Sequence, residues 1–266
     1  MKYAFMTFSC PDLTLAQSLA LAKKLGYDGI EPRIAAGHQH GIELETGMQK
    51  RREFRKLAAD NGIPLCCIAT SCMYADPADS KKQIEDTCRA IDLAGDLGAP
   101  RIRVFGGQIK GGLNREQAVA LVAESLRGVA QQAKERGVIV CMESHDDWCH
   151  PDHVAQVMKK VNHPNIAVNW DIMHPIRTAH VTMDYAFQTL RPWVKHVHMH
   201  DGKVDNNRLD LAPIGTGDID HRLALKLLGT MPYHDYLSGE WIGWEPYETH
   251  LPRELATMKQ YEKELA

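Results

Sequence analysis

Several things are missing from this chain, and each absence removes a class. Among seven cysteines (Cys10, Cys66, Cys67, Cys72, Cys88, Cys141, Cys149) there is no C-x-x-C pair. An odd, scattered set argues against a disulfide framework and a structural zinc site, so a reducing compartment is expected. Nowhere are 18 consecutive residues apolar, and Met1 to Pro11 carries one lysine and no stretch long enough for a secretory signal. A soluble cytoplasmic protein without a membrane partner is the expectation. No charge sign dominates: 31 basic and 34 acidic residues leave a formal charge of −3. That balance offers no electrostatic footprint for nucleic acid. With neither a Ser/Gly-rich linker nor a low-complexity segment, one domain over residues 1–266 is expected.

What is present is a repeated alternation of short β-like runs and longer helical periods, the pattern of βα units around a parallel sheet. Strands are expected at Tyr3 to Phe8, Gly29 to Pro32, Pro64 to Thr70, Arg101 to Phe105, Val138 to Met142, Ile166 to Trp170, Val194 to Met199 and Tyr236 to Gly239. Helices are expected at Thr14 to Leu25, Met48 to Asn61, Asp79 to Leu97, Arg115 to Arg136, Pro151 to Val161, Met183 to Leu190, Ile219 to Leu228 and Leu251 to Leu265. Gly26, Gly62, Gly98 and Gly137 stand where helices should stop. Eight of each make the complement of a single (β/α)8 TIM barrel. An open doubly wound sheet uses the same units, but the loop after the first strand, Ser9-Cys10-Pro11-Asp12-Leu13, has no glycine to cradle phosphate. Gly215-Thr216-Gly217 lacks the third glycine of a dinucleotide fingerprint and reads as a tight turn.

In the second half of the chain, Glu143, Asp171, His198 and Glu240 each lie at the end of a short apolar run. Strand ends are where a barrel builds its site. Charged groups there are costly unless paired or coordinated. Any one of the four has an ordinary reading as a polar loop or cap residue. Together they form an oxygen and nitrogen donor set that suits a divalent cation. His174 follows Asp171 by three residues. His196, His198 and His200 alternate along one run, which turns all three to the same face. Inside a barrel that face would be a wet, functional interior. Arg33, Arg101 and Arg103 stand near strand ends, where they would meet either a phosphate or a carboxylate.

The ordered pieces Gly29-Ile30-Glu31, Met142-Glu143-Ser144-His145, Trp170-Asp171-Ile172-Met173-His174, Val197-His198-Met199-His200-Asp201, Gly215-Thr216-Gly217-Asp218-Ile219 and Gly239-Glu240-Trp241 span almost the whole chain. This series resembles the xylose isomerase-like TIM barrel superfamily, in particular its sugar phosphate isomerase/epimerase group of ketose 3-epimerases, hydroxypyruvate isomerase and inosose dehydratase. The resemblance implies one divalent ion, Mn2+ first and Mg2+, Co2+ or Zn2+ after it, held by Glu143, Asp171, His198 and Glu240. It also implies substrate-binding roles for His174 and, beyond the third ligand, Arg208. His145 and the Asp146-Asp147 pair depart from many ketose epimerases.

The chemistry expected of such a site is an isomerase or epimerase acting on a keto-sugar or related polyol ketone. An ion would acidify the carbon beside the carbonyl, and Glu143 and Glu240 would remove and return its proton through a metal-bound enediolate. With His145 or His200 protonating a departing hydroxyl, the same enolate gives an inosose dehydratase-type lyase. A small-molecule sugar is the expected partner, nucleic acid is not, and a homo-oligomer is compatible with the reading. Apurinic endonucleases share the barrel but need more histidines, including one after strand three, where Ser71-Cys72-Met73-Tyr74 has none. A non-catalytic sugar-binding protein would have no need of four metal donors.

Overall fold

The computed structural model describes residues 1–205 and 208–265, with the backbone alone at 204, 205 and 208. Eight strands form one parallel sheet: β1 (Lys2–Met6), β2 (Gly29–Glu31), β3 (Ile68–Met73), β4 (Arg101–Phe105), β5 (Ile139–Glu143), β6 (Ile166–Asp171), β7 (Val194–Met199) and β10 (Tyr236–Gly239). β1 lies between β2 and β10, and β10 pairs with β7, so the first and last strands are neighbours. Across the remaining seam, the bridges Ile30 to Leu65 and Arg33 to Ala69 join the β2 and β3 sides. The sheet thus closes into a (β/α)8-like barrel.

Around it run α1 (Leu15–Leu25), α2 (Met48–Asn61), α3 (Ser80–Leu97), α4 (Arg115–Arg136), α5 (Pro151–Val161), α6 (His174–Ala179), α7 (Met183–Leu190), α8 (His221–Leu228) and α9 (Tyr247–Leu265). Their ends follow local chemistry. Thr14 and Asn114 each cap a helix and exchange bonds with Gln17 and Gln117 three residues on, satisfying amides that have no partner within the helix. No described helix is long and apolar enough to cross a membrane.

Strand alternation divides the interior into two environments. Ile102, Val104, Val140, Met142, Val168, Trp170, Val197 and Met199 belong to the large apolar core shared with the helices. The alternate residues Arg101, Arg103, Cys141, Glu143, Asn169, Asp171, His196 and His198 do not, although all are buried. Burying a polar group costs free energy unless it is bonded or ion-paired, and on this inner face Arg101, Arg103, Glu143, Asp171, His196 and His198 are ion-paired, while the Asn169 amide has no hydrogen-bond partner among the described residues.

Several elements depart from the sequence expectation. The third strand begins at Ile68, since the segment from Pro64 joins the sheet only through the isolated bridge at Leu65. The first strand stops at Met6, and a 3₁₀ turn takes Thr7–Ser9. A further helix starts at His174, after the two residues that follow β6, where Pro175 occupies a position that has no helical amide bond to lose. Between the expected strand at Val194 to Met199 and helix at Ile219 to Leu228, where no element is expected, lies the antiparallel pair β8 (Asp201–Asp205) and β9 (Arg208–Ala212).

Candidate metal centre

At the C-terminal ends of the strands, donor atoms of Glu143, Asp171, His198 and Glu240 all lie within 4.8 Å of one another, and all four residues are buried. Glu143 and Asp171 are the last residues of β5 and β6, His198 is the penultimate residue of β7, and Glu240 follows β10 directly. Register assembles them: Asp171 is opposite His198, and His198 is opposite Ser238. The centre is therefore a product of parallel strands ending at one level.

His198 is its hub. Its Nδ1 stands 3.0 Å from Glu143 Oε1 and 3.2 Å from Glu240 Oε2, while Nε2 lies 3.1 Å from Glu31 Oε1. Burial alone would lower the pKa of this imidazole, but the carboxylates of Glu31, Glu143 and Glu240 outweigh it and push it well above its ordinary value. Glu240 is opposed by its own burial, yet His198, Arg103 and His200 bring it down to about 2. Arg103 is fully buried: its Nε is 3.1 Å from Glu143 Oε2, and Nη1 donates to the Thr70 carbonyl at 2.9 Å. With His198 neutral, as a metal ligand must be, only two arginines among the described residues, Arg103 and Arg33, oppose Glu31, Glu143, Asp171 and Glu240, which leaves the cluster with an excess of negative charge.

That excess is the fit test for a cation. Glu143 Oε2 is buried, and its contact with Arg103 Nε is an ion pair outside hydrogen-bond geometry, so the oxygen has no hydrogen-bond partner among the described residues. Carboxylate oxygens and an imidazole nitrogen form a hard-to-borderline donor set suited to a divalent ion. The residues present fit such an ion, which would be held by Glu143, Asp171, His198 and Glu240.

A second group adjoins it. Asp171 accepts from the backbone amides of Met173 and His174 at 2.8 Å through Oδ1, and Oδ2 lies 2.9 Å from His200 Nε2. Burial opposes ionisation of Asp171, but His200, His174 and those amides hold its carboxyl far below the usual range. The His145 and His174 rings meet edge to face at 4.3 Å, and His174 and His200 at 5.4 Å. Burial depresses His174 to about 4. His145 goes the other way: despite burial, Asp146 at 2.9 Å and Glu143 raise it to about 9. The structure thus brings His145, His174 and His200 together with Glu240 around a cavity of ≈ 230 Å3 whose other walls are Leu209, Leu211 and Ile242. That volume is below the ~300–1,000 Å3 typical of drug-sized ligands, so the occupant is small.

The two leucines come from the β8–β9 hairpin, and Asp201 roots it. Its carboxylate accepts four backbone amides: Gly202 (2.8 Å) and Ile219 (3.2 Å) on Oδ1, Gly215 (2.8 Å) and Gly217 (3.0 Å) on Oδ2. The Gly-Thr-Gly turn is explained by this grip. Gly215 has φ +88°, and a Cβ on Gly217 would lie 2.1 Å from Asp201 Oδ1. The turn clasps a side chain and is no part of a nucleotide loop.

Other expectations resolve unevenly. The alternating imidazoles do share the inner face, but His196 and His198 are 0% exposed and His200 4%, so the interior there is dry. His196 lies deepest and is bonded to Glu31. The Arg208 side chain lies outside the described residues. Arg101 sits at the opposite end of β4 and pairs with Asp235, Arg103 pairs with Glu143, and Arg33 bonds the Ile34 carbonyl and Ser71 Oγ. Glu31 was not among the expected site residues, and Arg103 was expected only as a strand-end arginine facing a phosphate or a carboxylate. Glu31 carries the signal used for the other acids, a carboxylate ending a strand, but on a run of only three residues.

Comparison with known proteins accords with this architecture. The family model described as xylose isomerase-like TIM barrel matches residues 19–261. A 3-dehydroshikimate dehydratase from Bacillus anthracis is 24% identical over 202 residues, covering 74% of this chain and 71% of that protein. The crystal structure of an IOLI protein with a bound zinc atom superimposes with a TM-score of 0.82 at 17% identity, covering 100% of this chain and 98% of the other. A D-psicose 3-epimerase structure gives 0.80 at 18% identity, with 98% and 99% covered. At such identities the structural matches establish the fold alone.

Proposed function

The chain belongs to the xylose isomerase-like TIM barrel family, and from that premise we propose that it is a divalent-metal-dependent isomerase or epimerase of a small polyhydroxy ketone, with Mn2+ as its working ion. One observation carries the reading. Glu143 and Glu240, from β5 and the end of β10, approach the same nitrogen of His198 at 3.0 and 3.2 Å, and Glu240 also lines the cavity. A divalent ion, when bound, polarises a substrate carbonyl and its adjacent hydroxyl and so acidifies the C–H between them.

The protein's own residues do the rest. Glu240, facing the cavity, takes the proton as general base, and Glu143 returns it from the other side. Return to the opposite face of the same carbon is epimerisation, and delivery to the neighbouring carbon is aldose–ketose isomerisation. His174 and His200 donate to substrate oxygens, their own positions fixed by Asp171, and Arg208 is assigned a substrate contact by family resemblance. Leu209, Leu211 and Ile242 exclude water from the intermediate.

A second reading rests on His145. Raised to about 9 by its partners, this imidazole is protonated at neutral pH and borders the cavity, where it is placed to protonate a departing β-hydroxyl. The result is a lyase, and the relative acting as a 3-dehydroshikimate dehydratase gives the class a precedent.

Incubation with keto-sugars, inososes, their phosphates and 3-dehydroshikimate in deuterium oxide with Mn2+, followed by mass spectrometry, separates the readings. Epimerisation or isomerisation leaves a product of unchanged formula carrying deuterium near the carbonyl, while the lyase yields a product lighter by one water. No deuterium uptake and no water loss across the panel would reject both.

A further inference from the structure

We infer that Glu31 is the positioning residue of this centre: it fixes the tautomer of His198 so that the Nδ1 lone pair faces Glu143 and Glu240. The inference rests on the metal-binding reading above and adds a residue to it. Glu31, His196 and His198 are all 0% exposed, so bulk solvent does not reach their bonds. Glu31 Oε2 lies 2.8 Å from His196 Nε2, and Oε1 lies 3.1 Å from His198 Nε2. A carboxylate only accepts, whereas a neutral imidazole has one N–H and one lone pair. Both histidines must therefore carry their proton on Nε2, that of His196 directed to Oε2 and that of His198 to Oε1, with a longer approach of 3.3 Å to Oε2.

For His198 the consequence appears on the other side of the ring. With Nε2 protonated, Nδ1 presents a lone pair to Glu143 Oε1 at 3.0 Å and Glu240 Oε2 at 3.2 Å. Three acceptors converging in a dry interior repel unless a cation sits among them. Either a second proton on His198 or a metal ion relieves the conflict, and the ion displaces the proton. A carboxylate behind a ligating imidazole also raises its basicity as a ligand. His196 is the other half of the device: by bonding Oε2 it holds the Glu31 carboxylate in the orientation that offers Oε1 to His198. His196 Nδ1 has no hydrogen-bond partner among the described residues, so the bond to Glu31 is what orients that ring.

The test exploits a chemical difference between Glu and Gln. A carboxylate accepts two N–H groups, but the Gln amide has one oxygen and an NH2 that itself seeks an acceptor. In Glu31→Gln one imidazole must turn a lone pair toward the amide and move its proton to Nδ1. Mn2+ affinity, read from the EPR signal of free ion, is expected to fall ~10–100-fold. In protein labelled with 15N-histidine and loaded with Zn2+, the wild type is expected to show His198 protonated on Nε2 and metallated on Nδ1, a signature that Glu31→Gln loses. His196→Gln retains an N–H for Glu31 and is expected to keep Mn2+ affinity within about threefold.

Wild-type affinity in Glu31→Gln with an unchanged His198 signature would overturn the inference. So would a larger loss in His196→Gln than in Glu31→Gln, because the ion would then sit on Glu31 and His196. If Glu31→Gln does not fold, Glu31→Asp keeps the charge but shortens the reach. It should weaken Mn2+ binding by about 3–10-fold, and wild-type affinity there would equally reject the role. A wild-type protein that binds neither ion would instead sink the metal reading itself, a result distinguishable from every variant outcome.

Discussion

Cys141 and Glu143 stand two positions apart on β5, and both side chains face the barrel interior, yet their surroundings treat charge in opposite ways. Toward the floor, Cys66 and Cys67 cluster with Ala4 and Tyr236, and burial pushes the Cys141 thiol up to about 12. Desolvation wins there, and the group stays neutral. At the mouth, Asp171 and Glu240 are just as dry but stay ionised, because His198, His200, His174 and Arg103 surround them. Burial by itself decides nothing about ionisation. What decides it is how much opposite charge is within reach: Arg101 beside Cys141 does not offset the burial of that thiol, whereas several histidines and Arg103 gather around the carboxylates of the mouth, whose number suits a metal ion.

The comparison is sharpest in alkali. The folded protein holds Cys141 protonated to about pH 12, while an unfolded cysteine ionises near 8.5. Between those values the native state binds the extra proton, so stability falls as pH rises, by ~1.4 kcal/mol per pH unit for this group and roughly 5 kcal/mol in all. Cys141→Ala should remove that contribution. Denaturant midpoints of the two proteins between pH 8 and 11 measure it, and parallel curves would show that the thiol is not shielded as described.

A smaller effect is expected at the mouth, where removing charge should break chemistry rather than folding. Glu240→Gln keeps size and an oxygen donor but not the base, so substrate deuterium exchange should fall by ~10²-fold, equivalent to ~2.7 kcal/mol, without rescue by added Mn2+. Asp171→Asn should act through loss of the ion and recover partly in excess Mn2+. Equal rescue of both variants would leave Glu240 as a ligand only.

The smallest effect comes from the ion itself. Chelation should lower the unfolding free energy by RT ln(1 + [ion]/Kd), about 1.4 kcal/mol relative to protein held at ten times Kd. The Cys141→Ala protein should lose the same amount, since the floor takes no part in binding. A thermal midpoint indifferent to chelator in both proteins would contradict the metal centre.

The fold was legible because apolar runs and helical periods alternate along the chain, and Gly26, Gly62, Gly98 and Gly137 mark helix ends. Legibility failed where tertiary contacts overrule local pattern. Pro64 to Cys67 is apolar enough for a strand but meets its neighbour only at Leu65. α6 is six residues long, too short for a period to show, and its Pro175 reads as a turn. In the site, Glu143, Asp171, His198 and Glu240 stood out as donors at the ends of apolar runs. Glu31 did not, since its importance lies in facing two histidines 165 and 167 positions away. No local window contains that relation. The antiparallel pairing of β8 with β9 was equally hidden, because nothing in its sequence says which side of the barrel mouth it covers.

Asp201 separates two kinds of change this protein can tolerate. Immediately after His200, its carboxylate pins the base of the hairpin to the Gly-Thr-Gly turn through the amides of Gly215 and Gly217, and it also accepts those of Gly202 and Ile219. Replacements at Leu209 and Leu211 can therefore reshape the cavity wall while the root and the histidine before it stay in place. Substrate preference becomes a separable trait: a new hairpin face can be tried on the same acid–base apparatus, and a failed trial leaves that apparatus intact.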